Sequence, residues 1–295
     1  MTAMDAVITY VDGQDPSWRA DYEKYVGKPL LEKRFRDWGT LKYLLRGIET
    51  RMPFVRNVFL VVSSESQVPN WADTKNLHIV LHRDIIPEEL LPVFNSCTIE
   101  MFLHRIPNLA EEFLYFNDDM FPLLPCESTD FFRDGRGVIG ISRHLLSRNM
   151  YKDQCRAASD MARKALGMRK SPIFIRPQHI PSPMLLSSSK MAFKILEKDI
   201  LATASRLRTS ENPNQYLYVD YMYFSGKIIP ERVSNKHISQ KVWSGEKIAD
   251  YILNPKSKFA CINDVEMPDE KYLTMRDAII KAFEKRFPNK SRFES

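Results

Sequence analysis

Apolar runs closed by polar turns mark four strands, at 6–11, 58–62, 77–81 and 113–116. Between the first two, Leu41, Leu44, Leu45 and Ile48 fall at i, i+3, i+4 and i+7, one face of a helix that Pro53 stops. Ahead of the fourth strand, Ser96 stands as the cap of a second helix. Its core stripe is Ile99, Phe102, Leu103 and Ile106, and Pro107 closes it. Strand, helix, strand, strand, helix, strand is an α/β pattern with a mainly parallel sheet. Beyond Asp119 the pattern loosens. Pro122, Pro125, Gly135, Gly137 and Gly140 read as loops with a short hairpin, helices are expected at 150–166, 190–206 and 215–224, and a last strand at 259–262.

The fourth strand, Phe113-Leu-Tyr-Phe116, runs straight into Asn117, Asp118 and Asp119. In open α/β sheets ligands gather outside the carboxyl ends of strands. Mg²⁺ or Mn²⁺ takes oxygen ligands there, commonly one or two carboxylates with substrate phosphates. Asp118 and Asp119 are therefore the expected metal ligands of a nucleotide-sugar site. Two other strand ends carry similar groups, Asp12-Gly13 with Asp15 behind it and Asn263-Asp264. Each alone suits an ordinary turn, but three such ends in one α/β chain predict a shared polar pocket.

Glu100 and His104 lie four apart on the helix that Asn95 and Ser96 open, on a face away from its apolar stripe, where they are placed to hydrogen-bond on the substrate side. His179 sits in the proline-stiffened Arg176-Pro-Gln-His-Ile-Pro181 loop. An imidazole held this way suits proton transfer at neutral pH. Arg206 and Arg208, before the turn at 210–213, each offer a guanidinium fork to a phosphate.

At 295 residues, with 44% hydrophobic and 27% charged positions, the chain can bury a large core. Its net charge of +6 favours an anionic substrate or surface. The densest basic cluster, 281–292, reads as a solvated helix face, with membrane-surface contact as the competing reading. Cys97, Cys126, Cys155 and Cys261 show neither zinc-site nor disulfide spacing, which predicts reduced thiols. No run has the length of a membrane span and the N-terminus lacks the form of a signal peptide, so a cytoplasmic protein is expected.

These words match a known family. Asp5-Ala-Val-Ile-Thr-Tyr-Val-Asp-Gly-Gln-Asp-Pro-Ser-Trp18 resembles the first conserved block of the Stealth proteins, bacterial capsular polysaccharide phosphotransferases. Their second and longest block is similar to the run from Arg34 to Glu49, Val55 to Val62, Pro69-Asn-Trp71, Asp84 to Pro87, Leu91 to Ser96, Ile99-Glu100, Leu103 to Ile106 and Phe116 to Phe121. His179-Ile-Pro181 and Leu207 to Asn212 resemble elements of the third, although Ser205-Arg206 stands where the family has a His-Arg pair. Cys261-Ile-Asn-Asp264 resembles the fourth. The same blocks occur in the α/β precursor of the N-acetylglucosamine-1-phosphotransferase that tags lysosomal enzymes.

The resemblance implies a Rossmann-like, glycosyltransferase-A-like mainly parallel sheet flanked by helices, with helical additions in the C-terminal half. The expected organisation is a single catalytic domain over 1–295: a nucleotide-sugar-binding α/β core at 1–125, and helices and loops at 126–295 completing the site. It implies transfer of hexose-1-phosphate or N-acetylhexosamine-1-phosphate from a UDP-sugar to a glycan hydroxyl, releasing UMP, with Mg²⁺ or Mn²⁺ as cofactor. Asp118 and Asp119 hold the metal in that scheme, Arg208 binds phosphate and His179 is the base. Asp12, Asn95, Ser96, Glu100, His104, Asn117, Asn263 and Asp264 shape the substrate pocket. Expected partners are the UDP-sugar donor and the glycan acceptor, with no nucleic acid, and a peripheral association with a membrane capsule-assembly complex at the inner face of the membrane. The competing readings are a metal-dependent glycosyltransferase that releases UDP, a phosphatase-like hydrolase, and a basic polyanion-binding protein without catalysis.

Overall fold

The computed structural model describes residues 3–27 and 35–295; Arg34, which opens the second motif block, lies outside them. The first half of the chain forms β1 (Met4–Thr9), α1 (Pro16–Val26), α2 (Leu41–Arg51), β2 (Val55–Val62), β3 (Leu77–Leu81), α3 (His82–Ile85), α4 (Ser96–Glu100), β4 (Glu112–Asn117) and β5 (Met120–Pro122). There follow β6 (Phe132–Arg133), β7 (Arg136–Val138), β8 (Ile141–His144), α5 (Met150–Ala165), β9 (Phe174–Pro177), β10 (Ser182–Leu185), α6 (Leu186–Thr203) and α7 (Tyr216–Phe224). The chain ends with β11 (Ile228–Ile229), β12 (Asn235–Ser239), α8 (Gly245–Leu253), β13 (Phe259–Asn263) and α9 (Asp269–Arg286).

The largest sheet is mainly parallel, in the order β10-β4-β1-β2-β3, with β10 an antiparallel edge strand on β4. All four strands expected from apolar runs are present. Their continuous hydrophobicity reflects burial on both faces: Ala6, Val7, Val58, Leu60, Val61, Leu114 and Phe116 are fully buried. The chain is an α/β protein, as expected, and among the described residues no helix is long and apolar enough to cross a membrane.

The chain forms two compact units, each interleaved along the sequence. The first comprises Met1–Val7, Val80–Tyr115 and Ser128–Val233; the second comprises Ile8–Ile79, Phe116–Glu127 and Ser234–Ser295. In the first, α7 is buried along nearly its whole length, Tyr216 to Met222, between α5, α6, β9 and β10. In the second, α2 packs on β5 and α8 on α9. The ring of Phe283 stacks on Tyr43 at 5.4 Å and meets Phe121 at 4.7 Å. Gly47 costs helix stability in the middle of α2, but a Cβ there would stand 2.9 Å from the Pro122 carbonyl oxygen. The glycine lets α2 seat directly on β5, the strand that follows Asp118-Asp119.

Three local expectations change. The second helix is α4 and stops at Glu100, with a 3-10 turn at Leu103–Arg105 completing the apolar stripe. Its cap is Asn95, not Ser96: the Asn95 side chain accepts from the Cys97 amide at 3.1 Å. The helix expected at 190–206 is Leu186–Thr203, because Ala204 turns extended and the Ser205 amide donates to Thr98 Oγ1 at 3.1 Å.

Candidate active site

In the second unit, β4 ends at Asn117 and turns through Asp118-Asp119 into β5. β5 pairs antiparallel with β13, whose Cys261 lies opposite Met120. That pairing carries Cys261, Asn263 and Asp264 to the same turn. The Ile262 amide donates to the Asp119 carbonyl at 3.0 Å, and the Cys261 thiol donates to Asp119 Oδ2 at 3.1 Å. Although the Asp118 residue is exposed at its surface, desolvation of its carboxyl, followed by the charges of Asp119, Asp37 and Asp264, pushes it up to about 7. Tyr10, hydrogen-bonded to Asp37, is driven above the ordinary phenol range by burial and then by Asp37, Asp12 and Asp118.

Asp12 is held by its backbone, its amide donating to Gln67 Oε1 at 2.7 Å and its carbonyl accepting from Gln67 Nε2 at 3.0 Å. Gly13 follows because a Cβ would collide with Phe35, whose carbonyl accepts the Gly13 amide at 2.9 Å. Asp15, by contrast, caps α1 through the Trp18 amide at 2.7 Å.

Asp118 is exposed at the turn and Asp119, Asp37 and Asp264 are half-buried; like charges gathered there repel one another, and a divalent cation removes that cost. Carboxylate oxygens such as those of Asp118 and Asp119 are of the kind that Mg²⁺ or Mn²⁺ takes, and the buried Oδ1 of Asn117 has no hydrogen-bond partner among the described residues.

The first unit carries a different chemistry. Asn95, fully buried, donates through Nδ2 to Ser205 O, Leu207 O and Asn212 Oδ1 at 3.0–3.3 Å. Asn212 in turn accepts from the Thr209 amide at 2.6 Å and donates to Thr203 O at 2.6 Å. The two amides staple the 205–212 loop to the start of α4. Since Asn95 is the cap, the Ser96 hydroxyl is left to accept from Arg208 Nη2 at 2.6 Å. Arg206 points elsewhere, donating to Leu91 O at 2.9 Å. Glu100, 3% exposed, accepts from the Gln215 amide at 2.7 Å and the Tyr115 hydroxyl at 3.2 Å. Burial pushes it up to about 7, with Arg208 pulling the other way.

His179 lies between β9 and β10. Its loop is fixed by Gln178, whose side chain pairs with the Val233 backbone in both directions, at 2.6 and 3.2 Å, and whose amide donates to Gly140 O at 2.7 Å. His179 Nδ1 meets the buried Tyr216 hydroxyl at 3.3 Å, and Tyr151 donates to that hydroxyl at 3.4 Å.

The sequence-expected residues thus divide between the units. Asp12, Asn117, Asp118, Asp119, Asn263 and Asp264 belong to the second; Asn95, Ser96, Glu100, His104, His179 and Arg208 belong to the first. Glu100 and His104 do not share a polar face, because the break after Glu100 buries both. His104 packs against Phe193 at 4.5 Å, and burial with the Arg105 charge pushes its imidazole down to about 4. Tyr10, Asp37, Gln67, Cys261, Gln215 and Tyr216 are additions that sequence reasoning did not single out. Asp37 had a visible signal in Asp37-Trp-Gly39, but its Oδ1 accepts from the Gly39 amide at 2.9 Å, the ordinary behaviour of a turn aspartate. All four cysteines are free and buried.

Residues 34–138 match the model for the Stealth protein CR2, conserved region 2. Over its whole length the chain is 32% identical to all of the receptor polysaccharide phosphotransferase WefC of Streptococcus oralis. It is 31% identical to the capsular polysaccharide phosphotransferase WcwK of Streptococcus pneumoniae, again with 100% of both chains covered. With the capsular polysaccharide phosphotransferase cps1A of Actinobacillus pleuropneumoniae it shares 34% identity over 78% of this chain and 68% of that one. Among solved structures, the galactosyltransferase LgtC in complex with donor and acceptor sugar analogs matches with a TM-score of 0.40 and 9% identity, covering 93% of this chain and 96% of that one.

Proposed function

This chain belongs to the Stealth family of capsular polysaccharide phosphotransferases, and from that premise we propose that it transfers a sugar-1-phosphate from a UDP-sugar to a glycan hydroxyl and releases UMP. The acceptor oxygen attacks the phosphorus that carries the sugar. The bond to the bridging oxygen of the diphosphate breaks, a phosphodiester forms, and UMP departs with that oxygen. His179 takes the hydroxyl proton, its Nδ1 held by Tyr216. Arg208, oriented by Ser96, binds donor phosphate, while Arg206 is occupied with the Leu91 carbonyl. Asp118 and Asp119 would hold Mg²⁺ or Mn²⁺, whose chemistry is to neutralise charge on the diphosphate.

The observation that carries this reading is the turn at Asp118-Asp119, where desolvation and the charges of Asp119, Asp37 and Asp264 oppose ionisation of Asp118. A polyanion-binding protein has no use for such an arrangement. Incubating the chain with a panel of UDP-sugars, Mg²⁺ or Mn²⁺ and a capsular glycan is expected to release UMP. Release of UDP would instead establish ordinary glycosyl transfer, and turnover without a glycan would establish hydrolysis. Asp118→Asn is expected to lower turnover at least about a thousandfold with its circular dichroism unchanged. His179→Ala is expected to abolish transfer while sparing donor binding, so full activity in that variant removes the base assignment.

A further inference from the structure

We propose that the end of the β8–β9 pair in the first unit is a docking surface for an anionic lipid bilayer. The register sets His144 opposite Phe174, so Leu145 and Ile173 leave the two strands at the same end. Leu145 and Leu146 are 57% and 56% exposed, and Ile173 is 42% exposed. Arg143, Arg148, Arg169 and Lys170, exposed, flank them in sequence, and neither 141–152 nor 166–177 contains an acidic residue.

The exposed residues are presented by a fixed backbone. The Arg156 guanidinium donates to Leu145 O at 2.6 Å and to Pro172 O at 3.2 Å and lies 4.5 Å over the Phe174 ring, tying the two segments together. Ser147 donates to the Asp153 carboxylate, and the Asn149 side chain accepts from the Lys152 amide at 3.0 Å, capping α5. Adjacent exposed leucines flanked by exposed bases match an interface in which acyl chains take the apolar side chains and anionic headgroups take the bases. A hydrated polyanion would satisfy the arginines and leave the leucines in water. The charge selects an anionic surface, and the leucines select a lipid one.

The surface borders the candidate chemistry. Tyr151, 38% exposed and next to Met150, which is 40% exposed, points its hydroxyl inward to Tyr216 and so toward His179. A lipid-borne glycan is the acceptor class this arrangement suits. That last step rests on the reading of His179 above, whereas the lipid surface does not.

The test is sedimentation of the full chain with phosphatidylcholine vesicles prepared with and without phosphatidylglycerol. Binding is expected only to the anionic vesicles, weakening as salt is raised. Leu145→Ser with Leu146→Ser is expected to cut binding by roughly tenfold or more. Arg143→Gln with Arg148→Gln should cut it about fivefold per residue, and Lys281→Glu with Lys285→Glu on α9 should leave it unchanged. Circular dichroism confirms folding of each variant. The proposal is overturned if the chain fails to bind anionic vesicles, if the α9 pair reduces binding as much as the arginine pair, or if the leucine pair has no effect while soluble dextran sulfate competes fully. Loss of vesicle binding with UMP release from a soluble acceptor intact separates this surface from the catalytic reading, because Leu145 and Leu146 take no part in the chemistry.

Discussion

Glu100 shows how one buried acid can tie stability to pH. Burial raises its carboxyl from the usual range to about 7, although Arg208, Gln215, Tyr115 and Ser96 all favour the charged form. Between the unfolded value of 4.5 and about 7, the folded chain keeps a proton that the unfolded chain has released. The stabilisation is therefore complete below that range and is lost as pH rises through it, by up to about 3 kcal/mol. Above pH 7 the ionised Glu100 faces Arg208, so the cost coincides with the state that orients the guanidinium. Glu100→Gln is expected to flatten the fall in unfolding free energy between pH 5 and pH 8, as measured by urea denaturation. An unchanged slope in the variant would show that Glu100 is not its source. Donor affinity should weaken in the same variant, since Arg208 then lacks its acidic neighbour.

At the scale of elements, the arginine-bearing loop is held as a unit by two amides that lie 117 residues apart in sequence. Asn95→Ala removes the α4 cap and releases the Ser205 and Leu207 carbonyls together. The expected cost is about 1–3 kcal/mol, and the donor KM should rise about tenfold with a smaller change in kcat. A variant with wild-type KM would detach the loop from donor binding. This staple also shows what the sequence conceals. The strands were legible because burial on both faces leaves continuous apolar runs, and α2 because Leu41, Leu44, Leu45 and Ile48 repeat with the helical period. Asp118 and Asp119 stood out at the end of such a run. Asn95 is a substrate-pocket residue by resemblance, but its work as cap and staple stays hidden in the sequence, because its partners come from the loop at 205–212. Cys261 looked like a spare thiol for the same reason: only the pairing of β13 with β5 brings it against Asp119. Periodicity carries information about one element at a time, and these roles arise where elements separated by a hundred residues or more meet.

For the molecule as a whole, the net charge of +6 says less than where the charge is spent. The basic cluster at 281–292 was expected to be a solvated helix face. Its Lys281, Lys285, Lys290 and Arg292 are exposed, while Arg286 donates to the Leu123 and Leu253 carbonyls, Arg292 donates to the Arg56 carbonyl at 3.0 Å, and Phe287 and Phe293 are buried. The chain's last residues are thus built into the second unit, and their anchor is Glu294. Burial alone would raise its carboxyl, but hydrogen bonds from Arg46 and Ser291 hold it below the usual range. The Arg46 fork donates to both Glu294 oxygens, at 2.7 and 2.6 Å, with 10% and 4% of the two side chains exposed. Such a pair contributes little relative to an apolar core, yet breaking it strands a buried guanidinium. Glu294→Gln is therefore expected to cost about 3–5 kcal/mol, with little dependence on salt. Lys164→Ala supplies the contrast: its bridge to Asp199 is 2.7 Å long but 64% and 35% exposed, and its loss should cost under about 1 kcal/mol and fade as salt is raised. Denaturation of both variants at low and high salt distinguishes the two. Equal and small effects would mean that the C-terminal residues, despite their burial, contribute little to holding the second unit together.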